Sequence, residues 1–231
     1  MTIFRSALLT IVGSMVAAVS LVAQDASGVT AKSNTRGPVL GAHVLAIGLA
    51  GADHYRPSGG ENHLTKGAGA FVGYGFTSNI MLYLAGDASK VTLTDLDDDI
   101  IEGNQYTLTH LDLGVRYSFA NTNRSWVPYL NAAVTQRQER MSIDYLYFSE
   151  AYISYAATFG GGVQRFLFRR VALDLSAQFS TGKFSKVQYR TGSEKRQIVT
   201  TDNLRNVATA NSTRVSAGIR LYPLISSPRR K

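Results

Sequence analysis

The stretch TLTHLDLGVRYSF, residues 107–119, alternates between a mainly apolar and a mainly polar set of side chains. The apolar set contains Thr107, Thr109, Leu111, Leu113, Val115, Tyr117 and Phe119, and the polar set contains Leu108, His110, Asp112, Gly114, Arg116 and Ser118. An extended chain points successive side chains to opposite faces. This two-residue period therefore predicts a β-strand with one apolar and one polar face.

The same period recurs from residue 39 onward, most clearly in residues 170–180 and 213–221. We predict eight strands, at residues 39–49, 67–76, 80–92, 106–119, 126–138, 151–166, 169–181 and 213–222. Short links (77–79, 120–125 and 167–168) alternate with long links (50–66, 93–105, 139–150 and 182–212). Antiparallel hairpins would place every long link at one end, which is typical of transmembrane barrels with short periplasmic turns and long extracellular loops.

Alternation alone allows either a membrane barrel with its apolar face outside or a soluble barrel with that face inside. In residues 67–75 the face opposite the apolar one is mostly glycine. Small residues let a narrow lumen close, whereas glycine on a water-facing strand only weakens it. The seven lysines lie in tails, loops or strand ends, although water-facing sheets use lysine freely. Both observations favour the membrane barrel.

Aromatic residues gather near the predicted short turns. They are Phe76, Tyr117, Phe119, Trp126, Tyr129, Phe166 and Tyr222. Amphipathic aromatic rings form girdles at the interfaces of membrane barrels. We therefore predict that these seven side chains form the girdle at the short-turn end.

Composition excludes several classes of protein. The 231 residues carry a net charge of +8. They contain no cysteine, which excludes a disulfide scaffold, a cysteine zinc site and a thiol enzyme.

Residues 1–23 combine Arg5, an apolar run and small residues, the pattern of a secretory signal peptide. The net charge is positive, but the sequence has no basic-aromatic motif or basic helix of the kind that binds nucleic acid. The predicted export argues further against nucleic acid as a partner.

The chain resembles the small eight-stranded outer-membrane β-barrel proteins of the OmpA/OmpX-like group. The likeness rests on DLGVRYSF (112–119), FGGGV (159–163) and SAGIRLY (216–222). It implies an all-β protein, an eight-stranded antiparallel up-and-down transmembrane β-barrel. The predicted organisation is a signal peptide (1–23), a flexible segment (24–38), the barrel (39–223) and a basic tail (224–231). Members of the group usually end on a terminal aromatic residue, whereas PLISSPRRK follows Tyr222 here.

Charged side chains on the polar faces are predicted to fill the lumen. This set contains Asp87, His110, Asp112, Arg116, Asp174, Arg214 and Arg220. An eight-stranded barrel leaves room only for side chains, and buried charges are costly unless paired. We expect a network of ion pairs that plugs the barrel, with a gated ion path as the alternative.

Two long links carry opposite charge. The acidic link, residues 95–102, holds five carboxylates but lacks the glycine that an EF-hand loop has at its sixth position, so we predict a solvated loop rather than a cation site. The basic link holds Lys183, Lys186, Arg190, Lys195, Arg196 and Arg205. It suits lipopolysaccharide phosphates or an acidic surface partner, or alternatively it is a plain protruding hairpin.

The sequence predicts a non-enzymatic outer-membrane scaffold, monomeric and without metal or cofactor, that contacts lipids, extracellular surfaces or envelope proteins through its long loops. Catalysis would need a nucleophile beside a histidine, and His54 is the only credible base, with no serine fixed beside it by sequence. Two alternatives remain open at this point. They are a narrow channel through the charged lumen and a soluble periplasmic lipocalin-like binder.

Overall fold

The computed structural model describes eight segments of the chain. They are residues 35–50, 64–92, 105–119, 126–143, 148–168, 170–191, 197–200 and 211–223. The predicted signal peptide, the lead-in up to residue 34 and the tail from residue 224 lie outside the described residues. Within the described segments, no helix is long and apolar enough to cross a membrane.

The described segments form nine strands. They are β1 (Gly37–Ala50), β2 (Leu64–Gly75), β3 (Ile80–Thr92), β4 (Gln105–Ser118), β5 (Trp126–Ile143), β6 (Phe148–Phe168), β7 (Val171–Thr191), β8 (Gln197–Thr200) and β9 (Asn211–Leu221). β1 begins two residues before the predicted start. Gly37 takes a positive φ of 99° there, a conformation that glycine adopts without strain. The preceding Thr35 donates a hydrogen bond to the Ser78 carbonyl in the β2–β3 turn.

Eight of the strands close into a ring in which every neighbouring pair is antiparallel. The ring runs from β1 to β7 in chain order and continues through β9 back to β1. Gly41 of β1 lies opposite Arg220 of β9, and Ala172 of β7 lies on the other side of the same arginine. Among the described strands, the short β8 pairs only with the outer end of β7. The predicted eight-stranded antiparallel barrel is confirmed.

The apolar face lies outside the barrel. In β4, Leu113 is 57% exposed and Val115 48% exposed, whereas Asp112 and Arg116 are each 2% exposed. The other strands follow the same rule, with Val72, Leu130, Leu175 and Ile219 exposed. A soluble lipocalin-like binder needs the inverse arrangement, so that alternative is wrong.

Three strands extend past their predicted ends on the long-loop side, β6 by three residues, β5 by five and β7 by ten. β6 and β7 have 21 residues each and β5 has 18, about twice the 9–11 residues that a membrane-crossing strand needs. The register between β6 and β7 shifts at Ile153/Ser154. This irregularity interrupts the two-residue period at Ser185 of β7, inside the predicted link 182–212. The outer end of β7 pairs with β8 from Lys186–Thr200 to Tyr189–Gln197, as the hairpin alternative for this link predicts.

Candidate functional site

The barrel interior gathers the charged residues of the strands. All seven predicted lumen residues lie on its inner face, because they share the parity opposite to the exposed apolar residues. Within the described segments, the buried ion pairs join four arginines to four carboxylates. They are Arg116, Arg137, Arg214 and Arg220 with Asp87, Asp112, Asp174 and Glu139. Their formal charges cancel.

Asp174 on β7 is the centre of the network nearer the short turns. Its Oδ2 accepts hydrogen bonds from Arg116 Nη1 at 3.2 Å and from Gln164 Nε2 at 2.9 Å. Its Oδ1 accepts one from the Tyr129 hydroxyl at 2.9 Å and lies 3.5 Å from Arg220 Nη2. A buried carboxylate with four donors around it satisfies the condition under which a buried charge is tolerated.

Aromatic rings cover the two arginines that Asp174 binds. The Arg116 guanidinium lies 3.8 Å from the Tyr129 ring centre and 4.9 Å from that of Phe71. The Arg220 guanidinium lies 3.9 Å from the Phe71 ring centre. Cation–π contacts stabilise a cation most where water is excluded. A Cβ on Gly41 would lie 2.6 Å from the Arg220 side chain, so glycine at this position leaves the room that the arginine needs.

A second network is centred on Arg214 of β9. Its Nη1 donates to Asp87 Oδ2 at 2.8 Å and its Nη2 donates to Asp112 Oδ2 at 2.7 Å. One guanidinium therefore bridges two carboxylates from the adjacent strands β3 and β4. His43 Nε2 lies 4.0 Å from Asp87 Oδ2, which is too far for a hydrogen bond.

Hydroxyl groups continue this network around the inner wall. Thr135 donates to Asp112 Oδ1 at 2.7 Å. Thr135 in turn contacts Thr158 at 2.5 Å, and Thr158 contacts Ser180 at 2.6 Å. The chain of contacts runs from Arg214 on β9 through β4, β5 and β6 to β7. It ties together strands whose backbones are already paired, so the polar wall forms one connected unit.

The sequence prediction missed one buried ion pair, Arg137–Glu139. The two side chains lie on the inner face of β5 with Arg137 Nη2 at 2.5 Å from Glu139 Oε1, and Arg137 also lies over the Phe184 ring at 5.4 Å. The exposed Leu130 and Val134 set the parity that turns residues 137 and 139 inward. That signal was present for Arg137, but the predicted strand ended at Gln138, one residue before its partner Glu139.

Three of the predicted girdle residues lie inside the barrel. Phe76, Tyr117 and Phe119 are exposed and Trp126 is half-buried. Tyr129, Phe166 and Tyr222 are 1–3% exposed. Each of the three has the opposite parity to the exposed apolar residues of its strand, and their hydroxyls or rings complete the interior. The girdle assignment is therefore corrected for Tyr129, Phe166 and Tyr222.

The short-turn end of the interior is closed by apolar packing. Phe166 and Tyr222 lie with ring centres 5.3 Å apart and pack with Val39, Met81, Val127 and Ala172. The Tyr222 hydroxyl donates to Gln164 Oε1 at 2.8 Å, which links this floor to Asp174. Above it, the space open to the centre of a water molecule is about 20 Å³, room for about one water.

Most of the predicted loop sites lie outside the described residues. Lys183 and Lys186 are exposed on the outer end of β7. The side chain of Arg190 is not described, and Lys195, Arg196, Arg205, the acidic link 95–102 and His54 lie outside the described residues. Among the described residues, no group of three or more His, Asp or Glu side chains is placed to hold a metal ion.

Solved structures confirm the fold. The chain is similar to Neisserial surface protein A (NspA), with 13% identity, a TM-score of 0.56, and coverage of 80% of this chain and 96% of that one. It is also similar to the outer membrane protein OprG from Pseudomonas aeruginosa, with 12% identity, a TM-score of 0.50, and coverage of 80% and 95%. No protein-family model matches the chain, and a comparison with curated proteins gives no match. At these identities the likeness establishes the barrel architecture and no activity.

Proposed function

We propose that the chain is a non-enzymatic outer-membrane barrel whose closed body carries a surface for contacts outside the membrane. The apolar exterior supports the membrane location, because soluble monomeric proteins rarely expose a large contiguous apolar surface. The two solved structures named above, Neisserial surface protein A and OprG, carry names of a surface protein and an outer-membrane protein. The backbone ring leaves no strand of the barrel wall unpaired along its membrane portion, which supports a monomer.

The observation that carries the scaffold over the channel is the filled interior. Asp174 and Arg214 each bind two oppositely charged partners across the lumen. The buried rings of Phe71, Tyr83 and Tyr129 and the Phe166–Tyr222 floor also lie inside the barrel. A conducting lumen needs a continuous water-filled path, and the cavity among Phe71, Arg116, Arg214 and Arg220 holds about one water molecule.

The surface available for contacts is the outer part of β5–β8. β5, β6 and β7 extend beyond the length that a membrane requires and β8 pairs with β7, so a paired sheet would stand above the bilayer. Lys183 and Lys186 are exposed on it. We expect it to contact lipopolysaccharide phosphates, acidic extracellular surfaces or other envelope proteins, since exposed cations steer anionic partners.

Planar-bilayer recording tests the closed interior. The refolded protein is expected to insert without producing conductance steps, because the ion-paired side chains leave no aqueous path. Folding of the same protein preparation is verified by comparing unboiled and boiled samples on an SDS gel. The matched control is Arg165→Gln, which removes an exposed charge outside the lumen.

A contrary result would identify the channel instead. If the wild type gives regular steps, and if Arg220→Gln changes their anion selectivity while Arg165→Gln does not, the lumen conducts and the scaffold proposal fails.

A further inference from the structure

Two lysines lie directly opposite each other on the outer face of the barrel. Lys66 of β2 and Lys90 of β3 are cross-strand partners, and both are exposed. Directly opposed side chains have Cβ atoms about 5 Å apart, and like charges in that position destabilise a sheet. A pair of this kind is accommodated when an anion lies between the two ammonium groups.

The row of cross-strand partners that contains this pair holds a third cation. It runs across four strands through Lys66, Lys90, Thr107 and Arg140. In this row and the two outward rows below it on β2 to β5, the described positions hold these three Lys or Arg and no Asp or Glu. The local field therefore favours an anion.

The lysine pair also marks the upper border of the apolar exterior. Ala68 and Ala88 follow directly below it as the next outward pair, and Val72 and Leu84 form the apolar exterior further down the same two strands. An anion between the lysines would thus sit where acyl chains covering Val72 and Leu84 end. A soluble acidic protein would have no contact with the apolar residues below.

We propose that Lys66 and Lys90, with Arg140 one strand further along the row, bind a phosphate group of an outer-leaflet glycolipid of the lipid A type. The site rests on the proposed outer-membrane location, and it shares only Arg140 of β5 with the protruding β5–β8 surface. Lysine stems can lie along apolar surface while their ammonium groups reach the headgroup. The arginine, two strands from Lys90 across Thr107, suits a second phosphate or carboxylate of the same headgroup.

Binding of purified lipid A to the refolded full-length protein in zwitterionic detergent micelles tests the site. A lysine at an anionic membrane surface contributes about a factor of five in affinity, so Lys66→Gln/Lys90→Gln is expected to lower lipid A affinity about 30-fold. The control Arg165→Gln/Arg170→Gln removes two exposed charges at the opposite end of the barrel and should leave the affinity unchanged. Dephosphorylated lipid A should bind the wild type as weakly as lipid A binds the lysine variant. Millimolar inorganic phosphate should not compete, since it lacks the acyl chains.

The single substitution Lys90→Glu separates lipid binding from simple charge repulsion. It creates a cross-strand ion pair with Lys66, so it should raise the midpoint of unfolding without lipid and remove the stabilisation that lipid A gives the wild type. Unchanged lipid A affinity in both lysine variants would overturn the proposal. That result is expected if carboxylates of the acidic link 95–102 already neutralise the lysine pair. An equal loss in the arginine control would also overturn it. All variants are first checked for the shift between unboiled and boiled samples on an SDS gel, so a failure of the barrel itself is recognised separately.

Discussion

Asp174→Ala is expected to lower the free energy of unfolding by about 3–5 kcal/mol, the cost of removing one partner from a buried ion pair. The substitution leaves Arg116 and Arg220 without the carboxylate that both contact. It also deprives Tyr129 and Gln164 of their acceptor. Two arginines would then face each other in a space with room for little water. Urea titration in detergent micelles measures the change, and the fluorescence of Trp126, the single tryptophan, reports unfolding.

Asp174→Asn is the matched variant, because it keeps the shape and an acceptor oxygen while removing the charge. Its free energy of unfolding should fall between those of the wild type and Asp174→Ala. Exposed Lys183→Ala, on the same strand, should change stability by less than about 0.5 kcal/mol. If the urea midpoint of Asp174→Ala equals that of the wild type, the Asp174 carboxylate does not stabilise the barrel interior.

Arg214→Met is expected to cost a similar amount, about 3–5 kcal/mol, for the opposite reason. Its removal leaves two carboxylates, Asp87 and Asp112, buried on adjacent strands without the guanidinium that bridges them at 2.8 and 2.7 Å. Two carboxylates that share a buried site without a cation repel each other, which favours protonation of one of them. The loss of unfolding free energy should therefore exceed that caused by a substitution of similar size at an apolar residue of the inner wall.

The triple variant Asp87→Asn/Asp112→Asn/Arg214→Met provides the control. Replacing a whole buried ionic group by neutral residues is often close to neutral for stability, so the triple variant should recover most of the loss in the same urea titration. If it remains as unstable as Arg214→Met, the loss comes from packing around the arginine, and the ion-pair account of this network is wrong.

The architecture was predictable because it depends on parity, which is a local property. The alternation in residues 107–119 fixes which side chains of β4 share a face, and the glycines of β2 show which face is crowded. Those two features suffice to place Leu113 outside and Asp112 inside. The alternating short and long links supplied the order of the strands.

The pairing inside the barrel was not predictable, because it depends on how the ring closes. Asp87 and Arg214 are 127 residues apart and meet only because β9 pairs with both β1 and β7. Tyr129 and Tyr222 were assigned to the girdle from their place near short turns, although parity points them inward. Position along a strand sets the height of a side chain in the barrel, and parity decides whether it meets lipid or lumen.

Fractionation of the native host envelope, followed by an SDS gel of unboiled and boiled samples, determines whether the protein is an apolar-out membrane barrel. We expect the protein to sediment with the outer membrane and to migrate differently after boiling, because a closed barrel resists SDS until heated. Recovery in the soluble periplasm with identical migration before and after boiling would contradict it, since the apolar exterior would then have no lipid to face.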